Sequence, residues 1–148
     1  MTTHVYESLL NWQGRTDSYE SYARRHEVTV AGNVLAMSAD AAFRGDPDLP
    51  NPEQLVVAAA SSCQLLSFLA VAAYAGVEVL EYQDRASGEM SDGNRPMRLT
   101  SIVLRPRIVV EGVSVDRVER LVRKAHDQCY IANSLSADVT VEPSIEIV

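Results

Sequence analysis

Positive charge is scarce in this chain. Lys and Arg number 13 against 20 Asp and Glu, giving a formal net charge of −7 and a sequence pI near 4.9. That balance excludes nucleic acid and an anionic membrane surface as partners, because both are met by a basic face. The cations are scattered, so no basic stripe hides within the acidic total. Histidine is limited to 3 residues and cysteine to 2. The N-terminal MTTHVYESLL lacks a basic region followed by an apolar core, so no secretory signal is expected. No repeat or low-complexity segment is present. A cytoplasmic protein is predicted, in which two cysteines are reactive, metal-binding or inert more often than a permanent staple.

What the chain does have is one long apolar run. The 148 residues suit a single domain, 1–148, with a core of its own. Residues 51–76, NPEQLVVAAASSCQLLSFLAVAAYAG, predict a helix with Asn51 as N-cap, Pro52 at the first position and Gln54 as capping-box partner. Gly76 supplies the stop. Such a rod measures roughly 36 Å at 1.5 Å per residue. It is apolar nearly all round, which predicts a central helix buried on every side. Its length approaches that of a membrane span, but Ser61, Ser62, Gln64 and Ser67 interrupt it and its alanines dilute it.

Around this helix the pattern is mostly strand. Residues 4–12 and 19–30 alternate in character, Gly32-Asn33 fits a hairpin turn, and 34–37 returns. The loop SADAAFRGDPDLP then leads to the long helix and carries Arg44. Residues 77–90 and 97–112 read as strands about the turn SDGNRP, with Pro106 marking an edge or a bulge. Ser114 caps a second helix whose inner face is Val118, Leu121, Val122 and Ala125, and Cys129 continues that face. A short turn and a last alternating strand, DVTVEPSIEIV, follow. The expected class is α+β, two main helices on largely antiparallel sheet.

Cys63 and Cys129 therefore lie on the inner faces of the only two predicted helices. From spacing alone they are two small buried hydrophobes, a redox pair or part of a metal site, and the choice stays open. The stretches NPEQLVVAAASSCQLLSFLAVAA and AHDQCYIANSL, with the Phe-Arg-Gly-Asp loop at Phe43, resemble the OsmC/Ohr family of thiol-dependent hydroperoxide reductases, in its OsmC-like branch. The resemblance runs over nearly the whole chain. One departure is Tyr130, where many relatives have Pro directly after the second cysteine.

The resemblance implies an intertwined homodimer and a peroxidase that prefers organic hydroperoxides. Cys63 would be the peroxidatic thiol, passing through a sulfenic acid, and Cys129 the resolving thiol that closes an intramolecular disulfide. A dithiol reductant, lipoyl- or thioredoxin-type, would reopen it, with no cofactor and no metal. Leu65, Leu66, Phe68 and Leu69 are candidates to line an apolar cavity, although most of them are expected to be core.

Activation needs a further group. A free thiol, pKa about 8.5, is mostly protonated at neutral pH, and Cys63 lies beyond the first helical turn. The family pairs an arginine with a glutamate at the helix start, and Glu53 matches that glutamate. Arg44 is the first choice for the arginine, Arg25 the alternative and Arg24 the third. Glu53 and Cys63 stand ~15 Å apart along one straight helix at about 1.5 Å per residue, so a loop arginine or a second subunit must complete the site. The small residues Ala58, Ala59, Ala60, Ser61 and Ser62 would let two such helices approach closely.

Three other readings compete. A zinc site could use His126, Cys129 and Cys63, although His4 and His26 lie far off in sequence. A binding or stress protein could keep the fold with weak or no peroxidase activity. A cysteine hydrolase is the poorest fit, because no histidine is placed as its base.

Overall fold

The computed structural model describes residues 1–148, which fall into two compact units, Met1–Leu55 and Val56–Val148. The first unit holds a three-stranded antiparallel sheet of β1 (Leu9–Asn11), β2 (His26–Val30) and β3 (Asn33–Met37) in that order. The predicted strands 4–12 and 19–30 are thus much shorter. Tyr22 N–H and Ser21 N–H both turn back to the Ser18 carbonyl, which takes residues 18–22 out of extended conformation. The hairpin turn is Ala31-Gly32, with φ of 49° and 76°, rather than Gly32-Asn33. Asn33 already pairs with Val30 as the first residue of the returning strand.

The unit ends in a loop that holds itself together. A short 3₁₀ turn, Ala41–Phe43, is capped by Asp40, whose carboxylate accepts the Ala42 amide at 2.7 Å. Ser38 Oγ accepts the Asp46 amide at 3.0 Å. The long helix α1 (Pro52–Tyr74) then starts with the expected capping box: Gln54 N–H donates to Asn51 Oδ1 at 2.9 Å, and Asn51 N–H to Gln54 Oε1 at 3.0 Å. Gly76, at φ 67°, closes its far end, with Val77 N–H returning to the Ala72 carbonyl at 2.9 Å.

In the second unit every predicted strand is broken once, at the same level. Residues 77–90 become β4 (Val79–Asp84) and β5 (Ser87–Met90). Residues 97–112 become β6 (Leu99–Leu104) and β7 (Pro106–Val110), and the last strand becomes β8 (Asp138–Val141) and β9 (Ser144–Ile147). The halves form two sheets of order β4-β7-β9 and β5-β6-β8. Within each, the hairpin partner is antiparallel and the last strand is parallel, so this half of the protein is mixed. Pro106 opens β7, where its missing N–H costs no ladder bond. The joint is held by Asp84, which accepts the Arg105 amide at 2.6 Å and the Ser61 hydroxyl of α1 at 2.5 Å.

Two apolar clusters follow from the two sheets. Val56, Val57 and Ala60 of α1 meet Ile102 and Leu104, while Phe68, Val71 and Ala72 meet Ile108 and Val110. The second cluster is closed by α2 (Val115–Asp127) through Val118, Val122 and Ala125. Ser114 caps α2 as expected, accepting the Arg117 amide at 3.4 Å. The predicted short turn at 130–135 is a third helix, α3 (Tyr130–Ser134).

The long helix is not buried on every side. Its buried residues are Ala60, Gln64, Phe68, Val71 and Ala72, which form one stripe. On the other side Leu66 is 64% exposed and Leu69 39%, with Ala58, Ala59, Ser62, Ala70 and Ala73 also outside. The all-round apolar sequence predicted burial on every side, and the chain covers one face of the helix.

Candidate active site

Cys63 sits where the two clusters of the second unit meet. One turn on either side of it, α1 packs against a different sheet, and the strands below are broken at that level. The thiol is half-buried. Its neighbour Gln64 is fully buried and donates from Nε2 to the Val122 carbonyl at 3.4 Å, tying α1 to α2.

Cys129 follows α2 directly and is only 1% exposed. It occupies the N-cap position of α3 in extended backbone, and its own carbonyl accepts the Asn133 amide at 3.0 Å. The two thiols are brought together: both are free, and Cys63 lies near enough to Cys129 to help push its thiol up. Burial pushes the Cys129 thiol up from its ordinary value. The Ala132 amide acts against this, the neighbouring Cys63 adds to it, and the Ile131 amide again opposes it.

Sequence reasoning missed one donor. The backbone N–H of Ile131, in the first turn of α3, points at Cys63 Sγ at 3.5 Å. A thiolate on Cys63 therefore has a hydrogen-bond donor within its own unit. Nothing in the side-chain pattern announces this, since the group is main chain. The only cue was the turn predicted directly after Cys129.

The remaining predicted residues belong to the N-terminal unit. Glu53, in the first turn of α1, has no cation within 4 Å. It lines an open cavity of about 520 Å³ with Trp12, Tyr22, Arg24, Asp40 and Phe43. Arg24, the third choice by sequence, is thus the arginine on that wall. Its guanidinium carbon lies 3.6 Å from the Tyr22 ring centre and 4.9 Å from that of Tyr19. It donates to the Tyr22 carbonyl at 2.6 Å and also to that of Tyr19, while its Nε is buried without a partner. Arg44, at φ 64°, ends the 3₁₀ turn and is exposed, 5.9 Å from the Tyr19 ring centre. Arg25 is exposed on β2's approach and faces neither Glu53 nor that cavity.

The family model for OsmC-like protein matches residues 45–144. The chain belongs to the OsmC-like family. An OsmC-like protein of unknown function from Vibrio cholerae is 28% identical, with a TM-score of 0.86 over 96% of this chain and 100% of that one. An organic hydroperoxide resistance protein from Elizabethkingia anophelis shares the fold at 18% identity, with a TM-score of 0.75 and 99% of each chain covered. An uncharacterised Bacillus subtilis protein, YmaD, is 23% identical over 96% of this chain and 93% of its own. The α+β class and the family expected from the two cysteine segments are those of this OsmC-like chain.

Proposed function

We propose that the protein is a thiol-dependent peroxidase that reduces organic hydroperoxides to alcohols. The observation that carries this reading is the meeting of two free thiols, Cys63 with a main-chain donor at 3.5 Å and Cys129 beside it. The Cys63 thiolate attacks the terminal peroxide oxygen. The O–O bond breaks, the alkoxide takes a proton to leave as alcohol, and Cys63 becomes a sulfenic acid. Cys129 then displaces that hydroxyl as water, forming the disulfide, and a lipoyl- or thioredoxin-type dithiol reduces it.

In this reading Glu53 orients an arginine that favours the thiolate. Arg24 is the first candidate because it shares a cavity wall with Glu53, and Arg44 and Arg25 are the others. A homodimer is part of the reading, since the outward face of α1, with Leu66 64% exposed, has the composition of a covered surface. The proposed location is the cytoplasm, where a dithiol system is at hand.

Peroxide consumption with a dithiol reductant tests the proposal. The wild type is expected to consume an alkyl hydroperoxide faster than hydrogen peroxide, Cys63→Ser to abolish turnover, and Cys129→Ser to react once and stall. No consumption of either peroxide by the wild type would sink the reading, leaving a binding or stress protein of the same fold. Light scattering reads the oligomeric state, and a monomer at micromolar concentration would remove the dimer from it.

A further inference from the structure

A second cavity in the first unit, of about 330 Å³, is lined by three arginines, Arg24, Arg25 and Arg44. Ser21, Ser38, Glu20 and Asp46 stand on the same wall. In a chain of net charge −7, three cations around one small cavity need an explanation. Carboxylates do not supply it, because none of the three arginines has one within 4 Å. Asp46 is engaged by its own loop, where Oδ1 accepts the Asp48 amide at 2.9 Å. Like charges gathered without a counter-ion repel one another, and an anion among them relieves the repulsion.

The wall is built before any ligand arrives. Arg24 and Arg44 lie against one ring, their guanidinium carbons 4.9 and 5.9 Å from the Tyr19 centre. Arg24 also stacks on Tyr22 at 3.6 Å. Two of its five N–H groups go to the carbonyls of Tyr19 and Tyr22, and its buried Nε–H has no partner. The backbone that carries Arg44 is tied down: its N–H donates to the Ala41 carbonyl at 3.1 Å, and the Gly45 N–H to that of Asp40 at 3.0 Å. Ser38 is 1% exposed, and its Oγ accepts the Asp46 amide at 3.0 Å, which leaves its own O–H to donate.

We propose that this pocket binds an oxyanion, the phosphate or carboxylate group of a small molecule. A guanidinium fork meets either group with two parallel N–H···O bonds, and three forks with a buried hydroxyl offer donors to each oxygen. A metal cation or an amine is disfavoured, since the three positive charges outnumber Glu20 and Asp46. The site stands apart from the two-thiol reading: it asks for no chemistry at Cys63 or Cys129, and all its residues belong to the first unit. The acidic chain repels anions at long range, so the attraction is local and weakens as salt is added.

Titration of inorganic phosphate, and separately of acetate, into the full-length protein tests the site, with chloride balancing the ionic strength. Calorimetry is expected to show saturable binding in the millimolar range, with Tm rising in step. The anion that binds more tightly names the group as phosphate or carboxylate. Arg25→Gln combined with Arg44→Gln, both at exposed positions, should keep the anion-free Tm and weaken binding by about tenfold or more. Arg120→Gln combined with Arg123→Gln on α2 removes the same charge elsewhere and should leave binding within about twofold. No saturable binding of either anion would overturn the proposal. Unchanged affinity in the Arg25 and Arg44 double variant would do the same, as would an equal loss in the α2 variant, which marks bulk charge.

Discussion

Gln64 Nε2 donates to the main-chain carbonyl of Val122 at 3.4 Å, and this is the one hydrogen bond joining the interior of the Cys63 helix to α2. Gln64 is 0% exposed and its Oε1 has no partner. The carbonyl it reaches lies inside α2, so a polar partner there is dispensable while volume is not. Gln64→Met is expected to change stability by less than about 1.5 kcal/mol, Gln64→Ala to cost about 2–4 kcal/mol through the cavity, and Gln64→Glu to cost most by burying a charge. Urea unfolding of the three variants checks the order.

Cys129 makes stability depend on alkaline pH. Its folded-state thiol is raised, chiefly by burial, so the native protein holds the proton more tightly than the unfolded chain does. Its contribution is full below the unfolded thiol value, about 8.5, and is lost as pH climbs from there through the folded value. Under reducing conditions the wild type should lose stability above that pH at up to about 1.4 kcal/mol per pH unit from this group. Cys129→Ala should show a shallower decline between pH 8 and 10, by about that slope, in denaturant titrations.

The three arginines separate by what each holds. Arg24 clamps two tyrosine rings and two carbonyls, so Arg24→Ala is expected to lower both stability, by about 1–3 kcal/mol, and alkyl hydroperoxide turnover. Arg24→Lys should recover little, because a lysine has no planar fork to stack. Arg25→Ala and Arg44→Ala, at exposed positions, should stay within about 0.5 kcal/mol. Turnover falling at Arg44 and not at Arg24 would return the activating role to the loop.

Gly45 is fixed by contact. A Cβ there would stand 1.7 Å from the Ala39 carbonyl oxygen, main chain that has no rotamer to yield. Gly45→Ala is expected to open the loop between Ser38 and Asp46 and to lose the Ser38–Asp46 hydrogen bond. Faster amide exchange confined to residues 38–46, with β2–β3 unchanged, is the measurement.

Much of this was legible because it is written in side-chain type and period. The Asn51–Gln54 capping box, the Gly76 stop, the Ser114 cap and the inner stripe of α2 all rest on local rules that tertiary contacts did not override. The strand breaks were less legible. Pro106 flagged one, but Arg85 and Ala86 carry no such mark, and the break there follows from the bend of the neighbouring strand. Tyr19 and Tyr22 misled as strand residues because alternation also serves a loop that grips Arg24. Of the site, the two thiols were legible and the Ile131 amide was not, since a main-chain donor leaves no trace in composition.

The segment 99–110 is the middle strand of both sheets, with a nearby antiparallel partner on one side and a distant parallel one on the other. Loop closure favours the near partner, so the 79–110 hairpin can assemble well before residues 138–147 dock. The crossover between them is α2 and α3, which carries Cys129. Cys129 thus belongs to the late half of the chain's assembly. Pulsed alkylation during refolding should find Cys129 reactive until the final strands are in place. An oxidant met before then would find one sulfur without its mate.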